Sequence, residues 1–132
     1  MITANFLVLP NKLMKTIELI QKIENYQIKK DLPTIEVGDI ARIGIIIQEG
    51  NKQRVQPYEG TVIAKANTGI NKAVTIRRVF QGISIERIFL LHSPSIQNIE
   101  IIRKSKVRRA KLYYLRDCVG KNARLVQRFQ KN

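Results

Sequence analysis

A chain of 132 residues with 44% apolar content is enough for one folded domain with tails, and its formal net charge of +14 points to an anionic partner: nucleic acid, an anionic membrane or an acidic protein. One cysteine, Cys118, and one histidine, His92, exclude an internal disulfide and a zinc site built from several Cys and His of this chain. No apolar run approaches a membrane span, since the longest Ile-rich stretch is "IGIII" at 43–47.

The start, "MITANFLVLPNKL", has no basic n-region, no small-residue cleavage site and no Arg, so neither a signal peptide nor a transit peptide is expected from it. Residues 1–13 read as an extension. Residues 14–30 read as an amphipathic helix, with Leu13, Ile17, Ile20 and Ile23 recurring near the 3.6 period and charges between them. Pro33 in "DLPT" disfavours helix at Leu32, which predicts a linker at 31–34.

From 36 to 104 the period changes. Segments rich in β-branched residues predict strands near 40–48, 53–67, 72–81, 83–91 and 96–103. "EGNK" (49–52), "NTGIN" (67–71) and "QG" (81–82) are the turn signals between them. Pro57 and Gly60 inside the second run predict a bulge or sharp bend there. Five short strands with short turns predict a mainly β fold, a small antiparallel barrel.

Residues 105–132 form a basic extension. "RRAKLYYLRD" (108–117) carries helix formers without Gly or Pro, and Leu112, Leu115, Tyr113 and Tyr114 are available to dock on the barrel. Gly120 permits a turn, and "KNARLVQRFQKN" reads as a helical turn and a basic tail.

The charge is placed unevenly. Residues 1–60 carry 8 Lys or Arg against 7 acids, whereas residues 61–132 carry 16 against 3. The last thirty residues hold 11 against Asp117 alone. A merely solvated surface mixes signs, so this end reads as a contact face. Lys and Arg among aromatic rings suit a phosphate backbone: cations neutralise phosphates, and Arg grips phosphate at two points. The tyrosines read as core anchors for the arm rather than stacking platforms. In "TIRRVF", Arg77 and Arg78 fall on opposite faces of a strand; one can face a ligand while the other pairs with an acid such as Glu86 in the next strand.

Catalysis finds no constellation. His92 has no carboxylate or nucleophile pattern near it, and Ser93 points the other way along the chain. Glu49, Glu59, Glu86 and Glu100 stand singly, without metal-ligand spacing. The Gly-Lys of "CVGKNAR" is no phosphate loop, because Leu115 stands where the first Gly belongs and Asn122 where Ser or Thr belongs. No metal, cofactor or small-molecule substrate is expected. A membrane-surface role is not expected either, because the helix is nearly balanced in charge.

"GNKQRVQPYEGTVIA", "TIRRVFQGISIERIFLLHSP" and "VRRAKLYYLRDCVGKNAR", in that order, closely resemble the bacterial-type large-subunit ribosomal proteins of the L-nineteen family, from about Glu18 to Phe129. The resemblance implies an SH3-like β-barrel with an N-terminal helix and a basic C-terminal extension. It implies binding to large-subunit rRNA near the intersubunit face, next to other large-subunit proteins, and a bridge to small-subunit rRNA. By motif match, Arg77, Arg78, Arg87, Arg108, Arg109, Lys111, Arg116 and Lys121 fall on the family's basic positions, with Arg103, Lys104 and Lys106 in its basic segment after the last strand; Arg124 closes the quoted motif. These twelve are the expected RNA contacts. Family members usually begin near Met14, which leaves 1–13 outside the pattern. "GNKQRVQPYEG" looks most like cyanobacterial and plastid members, and abundant Ile, Lys and Asn fit an A+T-rich genome, so a plastid ribosome is expected, with a bacterial cytoplasm as the alternative. A free nucleic-acid-binding regulator built on a small barrel is the competing function.

Overall fold

The computed structural model describes residues 8–129, with side chains from residue 13 onward. The chain divides into two compact units at Lys30/Asp31.

In the first unit, helix α1 spans Val8–Gln27. It thus begins before the expected 14–30 span and stops three residues short of it. Pro10 lies in the first turn, where a missing N–H interrupts no helical bond. The stripe of Leu13, Ile17, Ile20 and Ile23 is exposed.

The second unit is mainly β. Strands β1 (Ile40–Glu49), β2 (Lys52–Ala66), β3 (Ala73–Phe80), β4 (Ile83–Leu90) and β5 (Ile96–Arg103) form one antiparallel sheet in the order β4-β3-β2-β1-β5. The turns between them follow local chemistry. Gln81 and Gly82, both at positive φ, join β3 to β4 with Phe80 opposite Ile83, a two-residue hairpin whose turn matches strand twist.

The sheet is not closed: β4 and β5 are its two edges. A side chain spans part of what pairing does not. The Tyr58 hydroxyl, from β2, donates to the Ile85 carbonyl of β4 at 3.2 Å, and its ring lies 5.3 Å from that of Phe89. Inside the curve sit Ile43, Val62, Val74, Ile76, Leu91 and Ile96, all buried. Ile35 joins them at 2% exposure, so the segment around the expected linker also supplies core.

β2 departs from expectation. Its pairing with β1 runs without a break from Lys52 to Thr61, straight through Pro57 and Gly60. The predicted bulge is not there; the register shift lies between Val62 and Ala64, facing β3. The reason is a change of partners. Below Thr61 the strand pairs with β1, above it with β3, and Thr61 pairs with both Ile40 and Arg77. Pro57 therefore sits where only one ladder exists and its missing N–H interrupts no second one.

The C-terminal segment is the larger correction. Residues 108–117 form no α-helix; only Tyr113–Arg116 close a 3₁₀ turn, followed by another at Gly120–Ala123. Ten residues are marginal for an isolated helix, and crowded cations destabilise one further. Leu112 and Leu115 instead drop into a second cluster against Ile63 and Ala64 of β2, and the Leu112 N–H donates to the Ile63 carbonyl at 2.8 Å. The chain then returns: Ser105 bridges Gln127, and the Lys106 and Arg128 N–H groups donate to Val126 and Lys104 carbonyls. Residues 104–128 thus form a strap across the outer side of β2.

Candidate nucleic-acid interface

The twelve basic residues expected to meet RNA separate into three environments. Arg77 and Arg116 are both held by one carboxylate of the chain itself. Arg77, in register with Glu86, places Nη1 3.0 Å from Glu86 Oε1, and its side chain is 12% exposed. Arg116 reaches the same carboxylate from the strap with Nε at 2.9 Å and Nη2 at 2.8 Å, while its guanidinium covers the Tyr113 ring. The Arg116 hydrogen bonds hold the Glu86 carboxyl below the usual carboxylate range; Arg77 adds to this and burial opposes it. Glu86 therefore ties β4, β3 and the strap together. Of the two arginines the sequence left open, Arg77 is the one that pairs with Glu86, and sequence reasoning missed the third member, Arg116.

Arg78 and Arg87 form the second environment, exposed on the sheet beside aromatic rings. Arg78 lies 5.5 Å from the centre of Phe80. Arg87 lies 5.7 Å from Tyr58 and 5.6 Å from Phe89. A guanidinium over a ring is oriented as well as attracted, and no carboxylate pairs with either among the described residues.

The other eight are Arg103, the last residue of β5, and Lys104, Lys106, Arg108, Arg109, Lys111, Lys121 and Arg124 of the strap. None pairs with a carboxylate among the described residues. Arg109 lies 5.0 Å from the Tyr114 ring and Lys111 5.9 Å from Tyr113. This corrects the reading of the tyrosines as anchors. Tyr113 and Tyr114 are 42% and 37% exposed and serve as platforms for cations, whereas Leu112 and Leu115, at 1% and 4%, fix the strap. A phenol at the tip of a ring favours a half-wet site; two leucines three residues apart fill the dry one.

The acids that stood singly in sequence each meet an arginine. Glu59 and Glu100 flank Arg42 across three strands, at 3.0 and 3.8 Å, and Glu49 meets Arg54 at 2.8 Å. Arg42 was not foreseen; its signal lay in the register that places it opposite both glutamates. Asp39 was also missed. It is buried, with Oδ2 accepting the Glu36 N–H at 3.0 Å, and it closes the turn that starts β1.

The acids of the sheet are thus matched locally, while of the strap's cations only Arg116 and Arg128 meet a carboxylate among the described residues. Such a surface has a strong positive field and an ordered set of donors, the arrangement that suits an anionic polymer. The comparisons agree in kind. The model of the family described as ribosomal protein L19 matches residues 18–128. The chain is 63% identical over 113 residues to the large ribosomal subunit protein bL19 of Picosynechococcus sp. (strain ATCC 27264 / PCC 7002 / PR-6), covering 86% of this chain and 94% of that protein. It is 59% identical over 118 residues to the bL19 of Cyanothece sp. (strain PCC 7425 / ATCC 29141), covering 89% and 98%, and 58% identical over 119 residues to that of Trichormus variabilis (strain ATCC 29413 / PCC 7937), covering 90% and 99%.

Proposed function

The chain belongs to the ribosomal protein L19 family, and from that premise we propose that it holds large-subunit rRNA through its strap and the exposed arginines of its sheet. Its role is structural and non-enzymatic, as a constituent of the large ribosomal subunit. The observation that carries the RNA reading is a run of eight cations, Arg103 at the end of β5 and seven on the strap, without a carboxylate among the described residues. Packed against β2 by Leu112 and Leu115, they repel one another unless phosphates lie between them. Docking then releases the counterions condensed on the RNA, which drives association.

In the finer reading, the protein lies near the intersubunit face beside neighbouring large-subunit proteins and helps form a bridge to small-subunit rRNA. The ribosome concerned is that of a plastid; the likeness to cyanobacterial relatives supports this reading. Arg78 and Arg87, exposed on the sheet and without a carboxylate partner among the described residues, are the bridge candidates.

Co-sedimentation on a sucrose gradient tests the core of the proposal. The tagged protein is expected to follow the large subunit through a high-salt wash and to leave it after RNase treatment. If it stays at the top of the gradient, it is no stable subunit component, and a free nucleic-acid regulator becomes the better account. For the bridge, Arg78→Gln with Arg87→Gln is expected to lower the fraction of joined ribosomes while leaving the large subunit intact.

A further inference from the structure

Two clefts meet at one end of the sheet, sharing Ile40, Thr61 and Ala123 in their walls. The smaller, about 340 Å3, also has Arg103, Ser105 and Arg124 in its wall and no carboxylate. The larger, about 840 Å3, offers an apolar stretch of Pro57, Val79, Leu115 and Cys118. Clefts of several hundred Å3 are the size that takes a small organic group.

Their chemistry differs in a way that suits one kind of occupant. Arg103 stands at the end of β5 and Arg124 follows the last 3₁₀ turn, and neither has a carboxylate partner among the described residues. Ser105 between them is 8% exposed, and its hydroxyl has no hydrogen-bond partner there. Buried hydroxyls are normally satisfied, so an orphan in the wall beside two unpaired guanidiniums marks a place for an anion. The larger cleft is lined by Arg42, Arg77 and Arg78 but also by Glu59 and Glu100; Arg42 is taken up by those two carboxylates and Arg77 by Glu86, so it suits an anion less well than the smaller one. Its apolar wall suits a flat ring instead.

We propose that the joined clefts seat one unpaired nucleotide of RNA, with its phosphate between Arg103 and Arg124, beside the Ser105 hydroxyl, and its base against Pro57, Val79 and Leu115. The inference rests on the RNA-binding reading above and adds a place where the protein selects RNA shape. Single-stranded loops and bulges present bases that can be splayed out and stacked, which a continuous duplex does not. The strap then does two things: its outer cations follow the backbone, and its inner edge, with the start of β1 and the middle of β2, receives one extruded nucleotide.

The test uses the full chain and two short RNAs at physiological salt, a perfect duplex and the same duplex with one bulged adenosine, read by fluorescence anisotropy. The bulged RNA is expected to bind about tenfold tighter, as one stacked base provides. Arg103→Gln with Arg124→Gln, both on exposed side chains, is expected to bring that ratio close to one. A second reading needs no variant. Cys118, in the wall of the larger cleft, is expected to be alkylated more slowly in the presence of bulged RNA than of duplex. Equal affinity for the two RNAs overturns the seat but leaves the RNA reading standing. So does a bulge preference that survives the double substitution without protecting Cys118. If neither RNA binds and the protein also fails to co-sediment with the subunit, the RNA reading falls, and the seat with it.

Discussion

Leu112 and Glu86 show how much of this molecule rests on single side chains. Leu112 is 1% exposed and packs with Ile63, Ala64 and Leu115, so Leu112→Ala leaves a cavity and is expected to cost about 2–4 kcal/mol in urea denaturation. Tyr113→Ala, at a 42% exposed site, is expected to cost less than about 1 kcal/mol. The reverse ranking would restore the tyrosines as the anchors. Glu86 gives a pH signature. Its carboxyl is held below its ordinary value of 4.5, first by the Arg116 hydrogen bonds. A depressed folded-state value means that the stabilisation is fully present above the ordinary value and is lost as pH falls through the depressed one. Glu86→Gln is therefore expected to melt roughly 4 °C below the wild type at neutral pH. The gap should close in acid, below the ordinary carboxylate range. A gap that is constant with pH would mean that the charge of Glu86 does not tie the strap to the sheet.

At the scale of elements, β2 is the strand around which the rest is arranged. It pairs with β1 along one half and β3 along the other, and Gly60 lies beside the point of exchange. A Cβ there would stand 2.5 Å from the Arg77 carbonyl oxygen and 2.8 Å from Ile76 Cγ2, so β3 must move to admit it. Gly60→Ala is expected to destabilise the sheet by about 1–3 kcal/mol and to loosen the β2–β3 pairing, visible as faster amide exchange at Ile76 and Arg77. Unchanged exchange would show that β3 admits the added methyl without loosening its pairing with β2. The sequence made Gly60 legible as a special position but not its cause. Periodicity reports faces of one strand, and the cause here is the approach of another. In the same way, "VIA" at 62–64 is buried on both faces because the strap covers the outer one. A run of consecutive apolar residues signals burial on both sides without naming what provides it.

For the whole molecule, the property that matters is a sheet whose acids are each paired with an arginine, carrying a strap most of whose cations are not paired among the described residues. If Arg103 and the seven unpaired strap cations all meet phosphate, the logarithm of RNA affinity is expected to fall against the logarithm of salt concentration with a slope of about −6, and each neutralised cation should reduce it by a little less than one. A slope near −1 would leave most of the strap without phosphate. How much of this was legible follows from the range of each interaction. Five strands, their turns, the mainly β class and the concentration of charge in the second half came from the sequence by itself, because alternation, turn chemistry and ionisation are properties of neighbouring residues. The Arg77–Glu86 pair was also within reach, since a two-residue hairpin fixes its register. Only the tertiary structure decided the rest. Helix propensity in 108–117 gave way to burial of Leu112 and Leu115 on a strand nearly fifty residues earlier in the chain. Arg116 joined Glu86, and Arg103 came to share a cleft with Arg124, through packing that local sequence does not encode. The physical reason is that a side chain's partner across a fold is set by the core both segments bury, and that core exists only once the chain has closed around it.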